Sequence, residues 1–148
     1  MADEKVNTIV LTLKQGYEFE ARFESFPDVP PLVLDEPPPL GAGRGPNPSA
    51  ILGAAVGNCL AASLLFCMQR SRAPLAGAEA KVAVHIARSE KGRLRISGIE
   101  VTIEPTLAPG QDPAKLERCQ ELFEDFCVVT QSVRNGIPVE VTVTPRQQ

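Results

Sequence analysis

Apolar and polar residues alternate near the start of the chain. Ile9, Leu11 and Leu13 share one side, Gln15-Gly16 breaks the run, and Tyr17, Phe19, Ala21 and Phe23 resume it against Glu18, Glu20, Arg22 and Glu24. This predicts a β-hairpin within residues 1–26. Between Pro27 and Pro48 lie eight of the 14 prolines together with Gly41, Gly43 and Gly45, so 27–47 reads as a long ordered loop with at most a short extended piece at Leu32 to Leu34. Asn47 can cap a helix that opens on Pro48 and runs to Arg70, because proline at the first helical position gives up a donor that has no partner anyway. Val82, Val84 and Ile86, a turn at Glu90-Lys91-Gly92, and Leu94 with Ile96 predict a second hairpin over 80–106. Its apolar parity flips after Ser97-Gly98, as an inserted residue would cause. Asp112-Pro113 opens a second helix over 112–134 with Leu116, Cys119, Phe123, Phe126 and Cys127 on one stripe, and Val139, Val141 and Val143 predict a last strand over 137–145.

The order β-β, loop, helix, β-β, helix, β predicts an α+β fold in one domain, 1–148, with antiparallel sheet laid over helices. No charged residue occurs between Ala50 and Met68, a length close to that of a membrane span. The stretch is rich in Ala and Gly, however, and carries Asn58 and Ser63, which favours a helix buried on every side inside protein over insertion in a membrane. A single sheet does not wrap such a helix, whereas an intertwined homodimer does.

Lys and Arg number 15 against 18 Asp and Glu, a net charge of −3, and the bases are scattered; no nucleic-acid partner is expected. The N-terminus lacks the basic head and apolar centre of a secretory signal, so the expected location is cytoplasmic. Four cysteines are too few for a secreted disulfide scaffold. His85 is the sole histidine and no C-x-x-C spacing exists, so no metal is expected. Gly41 to Gly45 lacks the spacing of a phosphate-binding loop.

Cys59 and Cys67 lie eight residues apart on the first helix, about 12 Å along its axis, as do Cys119 and Cys127 on the second. Neither pair bridges within its helix, since a disulfide needs Cα atoms within about 7 Å. Two connectivities between the helices remain. Antiparallel helices would pair Cys59 with Cys127 and Cys67 with Cys119, and buried inert thiols are the plainer alternative for all four. Asn58, Cys59 and Ser63 put polar groups in an apolar helix, where each needs a partner.

The run DEPPPLGAGRGPNPSAILGAAVGNCLAASLLFCM, with FEDFCVVTQSVRNGIPVEVTV about 60 residues later, resembles the OsmC/Ohr family of thiol-dependent peroxidases, most nearly its OsmC-like branch. The resemblance implies an intertwined homodimer whose two central helices are wrapped by antiparallel sheets. It implies that Cys59 is the peroxidatic cysteine for an organic hydroperoxide and Cys127 the resolving one. No bound cofactor is implied, only an external dithiol or lipoyl-type reductant. An arginine should support the Cys59 thiolate, Arg22 ahead of Arg44. The family's partner glutamate falls on Ser49 here, which leaves Glu36 as the substitute. Glu124 and Asp125 are expected to disfavour a thiolate at Cys127. The alternative function is a non-catalytic protein holding a small apolar ligand beneath the Pro-rich loop, with inert cysteines.

Overall fold

A computed structural model describes residues 3–148, and the chain divides into two compact units. One unit takes in the chain up to Gly53 together with Val84–Gly98; the other consists of Ala54–Ala83 and Ile99–Gln148.

In the first unit β1 (Ile9–Gln15), β2 (Glu18–Phe23) and β3 (Leu32–Leu34) form an antiparallel sheet in that order. Val10 faces Arg22, and Ala21, the buried residue of this sheet, faces Leu11 on one side and Leu32 on the other. The predicted hairpin and the short extended piece are both present. The proline-rich loop is ordered by one side chain. Asp35 is buried, and its carboxylate accepts hydrogen bonds from the backbone N–H groups of Glu36 at 2.8 Å, Ala42 at 3.2 Å and Arg44 at 3.1 Å. The Arg44 amide leads in holding this carboxyl below the usual carboxylate range, with the Glu36 and Ala42 amides and the Arg44 charge adding to it against the opposing effect of burial.

Helix α1 (Pro48–Arg70) begins where the Asn-Pro pair places it, since Asn47 Oδ1 accepts the Ala50 N–H at 3.0 Å. Within the second unit Val56, Leu60, Leu64 and Met68, spaced by four, are buried on one face of α1. The opposite face differs from the expectation of all-round burial: Leu65 is 40% and Phe66 58% exposed. The helix is long and apolar enough to cross a membrane by length and composition, yet its buried stripe packs on protein. Leu64, Met68, Ala73 and Cys119 form the core, with Leu75, Ile103, Leu107, Leu116 and Phe123 against it.

Strands β4 (Leu75–Arg88) and β5 (Leu94–Leu107) make the second hairpin, each an unbroken 14 residues. Beyond them lie two departures from the sequence pattern. The long second helix is three pieces: α2 (Pro113–Leu122), a 3-10 turn at Phe123–Phe126, and α3 (Val128–Asn135). Cys127 sits between the last two in extended conformation, with φ −79° and ψ 102°. The apolar stripe reads through this break because a 3-10 turn keeps nearly the same side facing inward. The last strand is the other departure. Residues 137–145 pair with no strand among the described residues, and Val139, Val141 and Val143 are 82%, 80% and 82% exposed. Alternation records which side is apolar; a strand also needs a neighbouring edge to bond.

Candidate active site

Close approach of backbone fixes one wall of the site. A Cβ on Gly57 would run into Val82 Cγ2, so glycine lets α1 lie against β4 two residues before Cys59. Cys59 follows, half-buried, while Asn58 beside it faces outward.

The other wall is the junction into α3. Since the second helix breaks at Phe126, Cys127 becomes the residue that caps α3, and the free N–H groups of the first turn of α3 lie beside the two sulfurs. The Val129 N–H donates to Cys59 Sγ at 3.5 Å. The Cys127 thiol, fully buried, donates to Thr130 Oγ1 at 3.0 Å, and Thr130 is itself buried. Both sulfurs thus meet the same first turn of α3, and each thiol alters the acidity of the other. The junction is held from outside by Glu124. Its carbonyl accepts the Cys127 N–H and the Gln131 side-chain amide, and its carboxylate pairs with Arg134 at 2.6 Å.

These contacts divide the acidity of the pair. Burial pushes the Cys59 thiol up, and its bond to Cys127 pushes it further, against the Val129 and Thr130 amides. Burial opposes ionisation of Cys127 too. There the hydrogen bonds to Cys59, to the Thr130 side chain and amide, and to Ser63 outweigh it, and the thiol falls below the ordinary range. The expectation that Glu124 and Asp125 would disfavour a Cys127 thiolate is therefore corrected. Glu124 is paired with Arg134, and the Cys59 thiol and the Thr130 hydroxyl, with the Thr130 amide and Ser63 behind them, decide the outcome.

Of the four residues singled out from the sequence, Cys59 and Cys127 share the second unit and are brought together. Arg22 and Glu36 belong to the first. Arg22 is exposed on β2, and Glu36 is half-buried in the loop where its N–H bonds Asp35. Arg44, the other arginine considered, reaches Glu18 at 3.6 Å. Ser49, at the position of the family glutamate, gives its hydroxyl to Asn47 Oδ1 at 3.0 Å. The other inter-helix pair exists as a disulfide, Cys67–Cys119, with Cα atoms 5.8 Å apart. The space beneath the Pro-rich loop differs from an apolar pocket: a cavity of about 280 Å³ there is walled by Tyr17 and Leu40 but also by Glu18, Asp35 and Arg44.

Sequence reasoning marked Ser63 as a polar group in need of a partner, but it missed Thr130 and the N–H of Val129 as partners of the sulfurs. The available signal was the β-branched run Val128-Val129-Thr130, which disfavours a helix continuing from Phe126 and suits a new start at Cys127.

Comparison with known proteins bears on this arrangement. No curated protein matches the chain in sequence. Among solved structures, an OsmC-like protein of unknown function from Vibrio cholerae superposes with a TM-score of 0.76 at 14% identity, covering 87% of this chain and 94% of that one. An organic hydroperoxide resistance protein OsmC from Legionella pneumophila gives 0.66 at 14% identity, with 88% and 92% covered. The organic hydroperoxide resistance protein OhrB of Bacillus subtilis gives 0.59 at 19% identity, with 86% and 90% covered. At these identities the likeness establishes the fold. The family model described as OsmC-like protein matches residues 41–142, a span holding α1, both hairpin strands and all four cysteines, and so the chain belongs to the OsmC-like family.

Proposed function

We propose that the protein is a thiol-dependent peroxidase that reduces organic hydroperoxides through Cys59 and Cys127. The observation that carries this reading is that both thiols bond the first turn of α3, Cys59 through the Val129 N–H and Cys127 through Thr130 Oγ1. Cys127 is completely enclosed and Cys59 is not, so an incoming peroxide meets Cys59.

The proton between the sulfurs sets the first step. Once the pair has lost one proton to solvent from Cys127, passing the remaining proton from Cys59 to Cys127 leaves a Cys59 thiolate that receives the Val129 N–H. That thiolate attacks one peroxide oxygen, the O–O bond breaks, and the departing alkoxide takes up a proton to leave as the alcohol, with Cys59 now a sulfenic acid. Cys127, deprotonated again, attacks the Cys59 sulfur. Hydroxide departs as water with a further proton, and a Cys59–Cys127 disulfide remains. An external dithiol returns both sulfurs to thiols and leaves as its own disulfide.

The preference for charge on Cys127 opposes the first transfer, and a cation near Cys59 offsets it. Arg22 is the proposed source, with Glu36 orienting it. The working protein is proposed to be a cytoplasmic homodimer, in which a second copy covers the open face of α1 and offers an edge to 137–145. The exposed Leu65, Phe66, Val139, Val141 and Val143 support this reading.

The test is turnover of cumene hydroperoxide with a dithiol. Cys59→Ser should abolish it, and Cys127→Ser should stop recycling while a sulfenate accumulates on Cys59 that a 1,3-dione probe traps. Turnover that survives both substitutions overturns the proposal, as does a trapped sulfenate on Cys127 in Cys59→Ser.

A further inference from the structure

The Cys67–Cys119 bond takes no part in the chemistry above, yet it joins the same two segments that carry the reacting thiols. Cys59 and Cys67 stand on α1, about 12 Å apart along an unbroken helix axis. Cys119 and Cys127 stand eight residues apart on the other segment, and that span is a hydrogen-bonded rod. The Cys119 carbonyl accepts the N–H of Phe123, where the 3-10 turn starts, and the Glu124 carbonyl accepts the N–H of Cys127, where it ends. The four sulfurs therefore mark two rods, bonded at one end and reacting at the other.

The two ends are held unequally. Among the described residues of α2, Cys119 is the one that is buried, and it is enclosed with Leu64, Met68 and Ala73. Without the bond, Cys67 and Cys119 are connected through a separation of 52 residues that contains β4 and β5. At the reacting end the rods meet through the Val129 N–H, 3.5 Å from Cys59 Sγ. A thiolate accepts that N–H strongly and a neutral sulfur weakly. Oxidation to the sulfenic acid thus loosens this contact at the stage when Cys127 has to reach Cys59.

We propose that Cys67 and Cys119 are positioning residues for the resolving step, their bond holding the Cys119–Cys127 rod in register on α1 while Cys59 is a sulfenic acid. The inference rests on the peroxidase reading and adds no redox step to it, since the Cys67–Cys119 bond stays closed throughout. Removing the bond leaves the attack on peroxide largely intact, because α1 carries the attacking sulfur. It slows the later attack of Cys127, because a displacement of about 1 Å costs about a hundredfold in a reaction that depends on orientation.

Two double variants of the full chain separate the bond from the packing around it: Cys67→Ala/Cys119→Ala, and Cys67→Ala/Cys119→Val, which refills the core. Each is assayed below its Tm in a single turnover with cumene hydroperoxide, following alcohol release and, by alkylation and mass, the Cys59–Cys127 disulfide. Alcohol release should stay within about threefold of the parent, while closure of the disulfide slows about tenfold or more. A 1,3-dione probe should trap on Cys59 a sulfenate that the parent does not accumulate. Closure at the parental rate in either variant overturns the proposal. Equal slowing of both steps marks the bond as a staple of the whole unit and overturns it too. Diamide, which joins neighbouring thiols without peroxide, keeps the two readings apart. It should close Cys59–Cys127 readily in the parent and about tenfold more slowly in both variants. A parent that closes with diamide and not with peroxide refutes the peroxidase reading and leaves the positioning role standing on the diamide rates. A parent that closes with neither refutes both.

Discussion

Replacing Thr130 by valine removes one hydroxyl and nearly preserves shape, which isolates the group that accepts from the Cys127 thiol at 3.0 Å. When Cys127 ionises, that hydroxyl turns from acceptor to donor. A hydrogen bond to a charged group contributes about 1.5–3 kcal/mol, and one pKa unit corresponds to about 1.36 kcal/mol, so losing it should raise the thiol pKa by about one to two units. The thiol becomes a weaker acid, its pKa rising, and the lower end applies because the Thr130 amide, Ser63 and Cys59 still favour the thiolate. The assay is the ultraviolet absorbance of thiolate against pH with Cys67–Cys119 kept oxidised, so that the Cys59–Cys127 pair supplies the cysteine signal. The first proton lost by the coupled pair should move up by about one unit in Thr130→Val and stay in place in Thr130→Ser. A linked effect on stability has a definite sign. The Cys127 thiol is lowered by folding, so its ionisation stabilises the fold fully above the unfolded thiol range, and that stability is lost as pH falls through the folded value. Thr130→Val should therefore lower Tm more in alkaline than in mildly acidic solution. A first ionisation step that does not move in Thr130→Val would refute the assignment of the charge to Cys127.

Two further outcomes follow from packing and from the loop. Gly57→Ala forces a methyl group into Val82, an overpacking cost of about 1–3 kcal/mol set against a gain of about 1 kcal/mol in helix propensity, so Tm should fall, and Val82→Ala should restore part of the loss. A rise in Tm for Gly57→Ala alone would show that no close approach exists. Asp35→Asn removes the negative acceptor shared by three amides, and hydrogen exchange at Ala42 and Arg44 should accelerate. Since folding lowers this carboxyl, the loop should keep its protection well into acid and lose it only as pH falls through the depressed value. Unchanged exchange in Asp35→Asn would dismiss the role of that side chain.

The elements whose boundaries depend on neighbours in sequence were legible before any coordinates. Alternation at 9–23, the Asn-Pro helix start and the hairpin turn at Glu90 to Gly92 are local features, and each appears where the pattern puts it. Helical spacing likewise excluded bridges within each cysteine pair and left two connectivities between the helices, of which the fold takes the one that bonds Cys67 to Cys119. What the sequence withheld depends on groups far apart in the chain. Thr130 and Cys59 are 71 residues apart, and nothing local announces that the N–H of Val129 meets a sulfur on α1. Periodicity ran through Phe126 because an inward stripe is the same for one helix or for two joined by a tight turn, although only the second makes Cys127 a helix cap. Asp35 read as one more polar loop residue until the fold buried it among amides.

Sequence by itself thus determined which residues are apolar, where α1, α2 and the hairpins begin, and which sulfurs could never bridge, since these follow from dihedral preference and spacing along one segment. Tertiary structure alone decided which thiol is the easier to ionise and which sulfur is sealed from solvent. Those properties come from desolvation and from donors on distant segments, and they exist only once the chain has closed around them.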